Sequence, residues 1–153
     1  DDVESRGLGD VYKRQDYKVK KPSGRKNAGI YTVTIVMKGK YSGKYQKTFQ
    51  IVPKGTVISG VKAKKKAFSV SWKKQAKQTS GYQIQYAVDA KFKKSVVTKN
   101  VNNTKKVKLD VSKLKAKKKY YIRVRTYKTV KMNGKSKKIY SGWSKVKAVT
   151  TKK

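Results

Sequence analysis

One stretch limits the fold of this chain more than any other: Leu114-Lys-Ala-Lys-Lys-Lys-Tyr120-Tyr-Ile-Arg-Val-Arg-Thr126. Successive side chains of a strand point to opposite faces of its sheet. The alternation from Tyr120 onward therefore places Tyr120, Ile122, Val124 and Thr126 inward, and Tyr121, Arg123 and Arg125 outward. Leu114, six residues ahead of Tyr120, is spaced to enter the same core from the preceding turn. The pattern is that of a strand entering a β-sandwich.

Composition removes most chemistry. The chain has 153 residues, enough for one full domain and part of a second. It contains no cysteine and no histidine, which excludes disulfides, thiolate nucleophiles, imidazole bases and the usual zinc sites. No run of about 18 apolar residues exists, so no membrane-spanning helix is expected. Lysine and arginine total 43 against seven acids, and only positions 6, 14, 25, 123 and 125 are arginine.

The string Ser5-Arg-Gly-Leu-Gly-Asp-Val-Tyr-Lys-Arg-Gln15 resembles, residue for residue, the translated transposase adapter used in short-read sequencing. Residues 1–15 are therefore expected to be an artefact and to be disordered, and they are set aside in reasoning about the fold. Three of the 43 basic residues and four of the seven acids lie there, which leaves 40 against 3, a net charge of +37. The three acids are Asp16, Asp89 and Asp110. A hydrolase with two carboxylates in one cleft would have to draw on them. Asp89 instead follows a strand-like stretch as a turn residue does, and Asp110 sits in an alternating stretch before Leu114. The reading is of a protein that is not an enzyme, with no catalytic, cofactor-binding or metal site.

Two modules follow. Residues 16–52 read as hairpins: Ile30-Tyr-Thr-Val-Thr-Ile-Val36 is a strand, Tyr41-Ser-Gly-Lys44 a turn, and Lys47-Thr-Phe-Gln-Ile-Val52 the returning strand. Asn27-Ala-Gly29 is a turn able to take a positive φ at Gly29. The spacing of Asp16, Tyr17, Val19, Tyr31, Val33, Ile35, Gly39, Tyr41, Gly43, Phe49 and Ile51 resembles the last strands of small Ig-like repeats in bacterial surface proteins. About three strands cannot close a sandwich of about seven, and an adapter junction at residue 15 would account for the missing part. Residues 53–56, Pro-Lys-Gly-Thr, read as a linker, because proline cannot donate to a ladder.

Residues 57–151 have the spacing of about seven strands. Val57-Ile-Ser-Gly-Val61, Ala67-Phe-Ser-Val-Ser-Trp72 and Gly81-Tyr-Gln-Ile-Gln-Tyr86 open the series, with Tyr82, Ile84 and Tyr86 on one face. Residues 96–101 and 105–111 supply two more. Asn133-Gly134 marks a hairpin turn, which the flanking lysines extend into a longer, mobile loop. Ser141-Gly-Trp-Ser144 opens a last strand through Val146, Ala148 and Thr150. In this order Trp72, the Tyr82/Ile84/Tyr86 strand, the Leu114/Tyr120 corner and Trp143 resemble the fibronectin type III domain. The resemblance implies an all-β sandwich whose core holds Trp72, Ile122 and Val124, and whose Tyr120 hydroxyl bonds to backbone upstream.

Arg123, Arg125 and Trp143 form the one constellation with distinctive chemistry. If the last strand pairs with the strand of Arg123, Trp143 falls between two guanidinium planes. The arrangement resembles the arginine–tryptophan ladder of some fibronectin-type domains. Its alternative is an aromatic platform for a sugar or peptide, helped by Tyr121 and Tyr127; the ladder is the preferred reading. Lysine covers much of the remaining surface, which deters edge pairing and keeps the chain soluble. It also suits adhesion to polyanionic envelope polymers or polysaccharide. Sequence-specific nucleic-acid recognition is not expected, since no recognition helix is present and lysine lacks the bidentate fork of arginine.

The function expected is a non-catalytic extracellular spacer or adhesion module of a bacterial cell-surface or secreted protein, flanked by repeats of the same chain. Its alternatives are a carbohydrate-binding accessory domain of a secreted hydrolase and a lysine-rich polyanion binder. The extracellular and bacterial parts rest on the resemblance; a signal peptide would lie upstream of residue 16.

Overall fold

The computed structural model describes residues 16–153; the adapter-like segment lies outside the described residues. The chain divides between Ile51 and Val52 into two units. In the first, β1 (Tyr17–Lys20), β2 (Gly29–Met37) and β3 (Lys44–Ile51) form an antiparallel sheet in that order. Its core is small, with Tyr17, Ile35 and Met37 buried and Val19 and Tyr41 packed against them. The positive φ expected at Gly29 falls at Gly24 instead. Gly29 already begins β2, and the Tyr31 ring occupies the space over it, so a Cβ there would meet the ring at 3.2 Å.

The second unit contains β4 (Ile58–Lys64), β5 (Ala67–Trp72), β6 (Gly81–Ala87), β7 (Val97–Val101), β8 (Lys108–Val111), β9 (Lys119–Met132), β10 (Lys135–Tyr140) and β11 (Lys147–Thr150). One sheet has the order β4-β5-β8; the other has the order β10-β9-β6-β7, with β11 also paired to β9. All these pairs are antiparallel. The alternation of residues 120–126 is realised as expected: Tyr120, Ile122, Val124 and Thr126 are buried, and Tyr121, Arg123 and Arg125 are half-buried on the opposite face.

Trp72, Tyr82, Ile84 and Tyr86 enter the same core as Phe68, Ile122 and Val124. Phe68 meets Tyr86 edge-on with centroids 5.5 Å apart, and Trp72 tilts against Tyr82 at 5.3 Å, favourable arrangements of aromatic quadrupoles. The buried Tyr82 hydroxyl accepts the Gln75 N–H at 2.8 Å and donates to the Thr104 carbonyl at 2.9 Å. At the corner, Leu114 packs on the core. The Tyr120 hydroxyl accepts the backbone N–H of Lys115 at 3.3 Å, an upstream bond of the expected kind.

One reading is refined and two are corrected. Residues 53–56, read as a linker, are bonded to the second unit: the Thr126 hydroxyl donates to the Lys54 carbonyl at 2.7 Å, and the Thr56 hydroxyl to the Lys73 carbonyl at 2.5 Å. With Pro53 buried as well, the segment is tied into the second unit. The turn at Asn133-Gly134 is a tight two-residue turn, not a long loop. Both residues have positive φ, 50° and 76°, the geometry that suits the right-handed twist of a hairpin. The last strand is broken. β10 pairs with the far half of β9, β11 with its near half, and residues 141–146 leave the ladder between them.

Candidate functional site

The break in the last strand builds the site. Residues 141–144 are Ser-Gly-Trp-Ser, and the two serine hydroxyls accept hydrogen bonds from β9. Ser141 Oγ takes the Thr126 N–H at 3.0 Å and Ser144 Oγ the Val124 N–H at 3.0 Å. In return the Ser141 N–H donates to the Thr126 carbonyl at 3.0 Å and the Ser144 N–H to the Val124 carbonyl at 2.8 Å. The backbone groups of β9 are thus satisfied although the strand beside them bulges outward. The bulge carries Trp143 over the outer face of β9.

There the indole lies between two arginines. The Arg123 guanidinium carbon is 4.3 Å from the Trp143 ring centroid and that of Arg125 is 4.1 Å away. The stack continues at both ends: Phe92 lies 4.1 Å from Arg123, and Tyr140 3.9 Å from Arg125. Five planar groups therefore alternate in the order Phe92, Arg123, Trp143, Arg125, Tyr140. A lysine ammonium is not planar and could not replace either arginine in such a pile.

β6 supplies the polar half of the arrangement. Arg123 Nε and Nη2 donate to Gln85 Oε1 at 3.0 and 2.7 Å; Arg125 Nε and Nη2 donate to Gln83 Oε1 at 2.9 and 2.7 Å. Because a guanidinium only donates, each glutamine must turn its oxygen toward it and its NH2 away. Gln83 Nε2 then donates to Asn100 Oδ1 at 3.0 Å, and Gln85 Nε2 to Thr98 Oγ1 at 3.1 Å. Two parallel rows of side-chain bonds cross β9, β6 and β7 beneath the stack.

Among the described residues no carboxylate enters this constellation. Burial pushes the pKa of both guanidiniums down, and the charge of Arg123 pushes Arg125 further in that direction while Tyr140 opposes it. Charge-assisted bonds to the glutamines and the ring faces offset the lost hydration. Asp89 acts at one remove. Its two carboxylate oxygens accept the Lys91 and Lys93 N–H groups at 3.2 and 2.9 Å, closing the turn that presents Phe92 at φ 52°. Those backbone bonds, that of Lys93 first, hold its pKa below the usual carboxylate range. Asp110 pairs with Lys64 at 2.6 Å, and that bond holds its pKa down.

Of the aromatic residues proposed for a platform, Trp143 has both faces covered by guanidiniums. Tyr127 is 2% exposed, too buried to present a ring face. Its ring fills the space that Gly81 leaves, its hydroxyl donates to Asn102 Oδ1, and Lys138 lies over it at 4.6 Å. Tyr121 stands apart, half-buried, with the Lys119 ammonium 5.5 Å from its centroid. Sequence reasoning missed Phe92, Tyr140, Gln83, Gln85, Asn100 and Thr98. The one signal for any of them was Gln83-x-Gln85 alternating against the core residues Tyr82, Ile84 and Tyr86, two amides on one face opposite two arginines.

The fibronectin type III domain model matches residues 52–141. The chain belongs to the fibronectin type III family. Domains of this family are typically non-catalytic modules and are commonly extracellular. Among solved structures, the FN1–FN3 domains of chicken CNTN1 resemble the chain with a TM-score of 0.54 and 21% identity, over 83% of this chain and 44% of that one. The chain thus spans less than half of that fragment, and the likeness is one of fold. A β-1,2-glucanase from Parabacteroides distasonis overlaps at a TM-score of 0.47 and 14% identity, over 80% of this chain and 18% of that one. No curated protein sequence matches. Among the described residues no helix is long and apolar enough to cross a membrane.

Proposed function

We propose that the chain is a stretch of an extracellular, multi-repeat bacterial surface or secreted protein. In this reading the fibronectin type III domain serves as a non-catalytic spacer and adhesion module, and the three-stranded unit is the closing part of an Ig-like repeat before it. The observation that carries the proposal is the self-satisfaction of its most distinctive surface. Sugars and peptides are gripped by open aromatic faces and by unpaired, converging polar groups. Here both faces of Trp143 are taken by Arg123 and Arg125, and the glutamine amides are bonded onward to β7. Such a surface stiffens the sheet.

The competing assignment, a carbohydrate-binding accessory domain, is separated by one experiment. Titration with neutral oligosaccharides, followed by calorimetry, is expected to give no saturable heat for the intact chain. Saturable binding that disappears in Trp143→Ala would transfer the role to carbohydrate recognition and end the spacer assignment.

A further inference from the structure

Three chain segments meet at one pole of the fibronectin type III unit, and all of them are lysine-bearing. The turn after β4 is joined to the chain end, with the Lys66 N–H donating to the Lys152 carbonyl at 3.0 Å and the Lys152 N–H to the Lys64 carbonyl at 2.9 Å. The corner loop joins the same turn through the Leu114 N–H and the Lys66 carbonyl at 2.9 Å. It joins the chain end through the Thr151 N–H and the Lys118 carbonyl at 3.0 Å. Residues 64–66, 113–119 and 152–153 contain ten lysines and no acid, and every one of the ten is exposed. Asp110 is the acid that answers them, and it is paired with Lys64.

Backbone conformation sets this pole apart from the rest of a lysine-rich surface. Seven non-glycine residues have a positive φ among the described residues, and three of them are lysines: Lys66 at 43°, Lys113 at 59° and Lys117 at 49°. All three stand at this pole. In the left-handed region glycine or asparagine would fold with less strain. Lysine therefore occupies three positions where turn chemistry favours another residue, and each one adds a cation to the same cluster. Strain retained at a charged surface points to a ligand that uses the charge.

We infer that this pole is a docking site for a flexible polymer with closely spaced phosphate groups. The occupant follows from the donors. Ammonium groups on long stems act as point charges that follow charge density, whereas a planar guanidinium would select the shape of an individual group. A second copy of the chain is excluded as occupant by the net charge of +36. A phosphate polymer relieves the mutual repulsion of ten cations, and released counterions make the association steeply salt-dependent.

The test uses the full chain and long-chain inorganic polyphosphate, titrated at several salt concentrations. A triple variant, Lys66→Gly, Lys113→Gly and Lys117→Gly, removes three charges and the left-handed strain together. It is compared with Lys73→Ser, Lys74→Ser and Lys106→Ser, which removes the same charge at the opposite pole. The glycine variant is expected to lose roughly tenfold in affinity at physiological salt, with a shallower salt dependence and a melting temperature that does not fall. The serine variant is expected to lose less than about threefold. A second pole set, Lys115→Gln, Lys118→Gln and Lys153→Gln, alters exposed side chains alone and is expected to repeat the loss. Equal losses for the pole and opposite-pole variants would reduce the effect to net charge and overturn the inference. So would absence of binding by the unaltered chain, or tighter binding of single-stranded DNA than of polyphosphate of equal charge. Those outcomes leave the spacer reading standing, since neutral glycans test it separately.

Discussion

Replacing Trp143 by alanine measures what the five-membered stack contributes. The indole makes two cation–π contacts, at 4.3 Å to Arg123 and 4.1 Å to Arg125. Each is worth about 0.5–1 kcal/mol, about 1–2 kcal/mol together. A half-covered indole also removes about 100 Å² of apolar surface from water, about 2.5 kcal/mol at about 25 cal/mol/Å². Trp143→Ala should therefore cost about 3.5–4.5 kcal/mol, a fall in melting temperature on the order of 20 °C for a unit of about 100 residues. Urea unfolding followed by circular dichroism gives the free energy. A double-mutant cycle with Arg125→Met separates the two contributions, because burial is removed in both arms and cancels. The coupling expected between Trp143 and Arg125 is about 0.5–1 kcal/mol. A loss below about 1 kcal/mol, or additivity within about 0.3 kcal/mol, would show that the stack is an incidental contact and not a brace.

Gly81→Ala should be among the more damaging single changes. Its Cβ would meet the Val101 carbonyl oxygen at 2.3 Å and the Tyr127 hydroxyl at 2.6 Å, and backbone cannot swing aside as a side chain does. A loss of at least about 1–3 kcal/mol in urea unfolding is expected, and a melting curve like that of the unaltered chain would refute the close approach. Tyr120→Phe should cost about 0.5–1.5 kcal/mol through the lost acceptor for the Lys115 N–H; unchanged stability would count against the corner. A carboxyl whose pKa is lower folded than unfolded adds stability that is complete above its unfolded value and lost as pH falls through the folded one. Asp89 and Asp110 are both of this kind. Stability should therefore hold from neutrality to about pH 5 and decline below about pH 4. Asp89→Asn is expected to flatten that decline in acid titrations of the melting temperature, and an unaltered slope would remove Asp89 from the account.

The inward face of the sandwich was legible because it depends on a period of two. Tyr120, Ile122, Val124 and the Tyr82/Ile84/Tyr86 set occupy the faces the alternation assigns them. The Arg123–Trp143–Arg125 contact was legible too, since the two arginines stand two apart on one strand and tryptophan follows in the segment expected to run beside it. Its ends were not. Phe92 reaches Arg123 from a turn closed by Asp89, with β7 and β8 between them in sequence, and no local pattern records that meeting. The serine bonds that split β10 from β11 escaped for a related reason: a hydroxyl standing in for a ladder acceptor leaves the β-rich sequence looking continuous. Lysines beside Asn133-Gly134 suggested a loop, but their charges point into solvent and leave the two-residue turn undisturbed. Residues 53–56 look like a linker by composition, and the hydroxyls of Thr126 and Thr56, with the burial of Pro53, make them part of the domain.

The bridge between Lys65 and Lys152 is parallel, whereas every strand pair in the second unit is antiparallel. β4 and β11 therefore run in the same direction toward one pole. A force that enters at Ile58 and leaves at Lys152 pulls these two segments past each other along their length. The bonds from Lys66 to Lys152 and from Lys152 to Lys64 lie across the direction of pull and must rupture together, not one after another. Tension applied along the chain meets shear resistance at its last residues. A module strung between a surface and its surroundings would thus hold its length under load until both bonds fail in a single step.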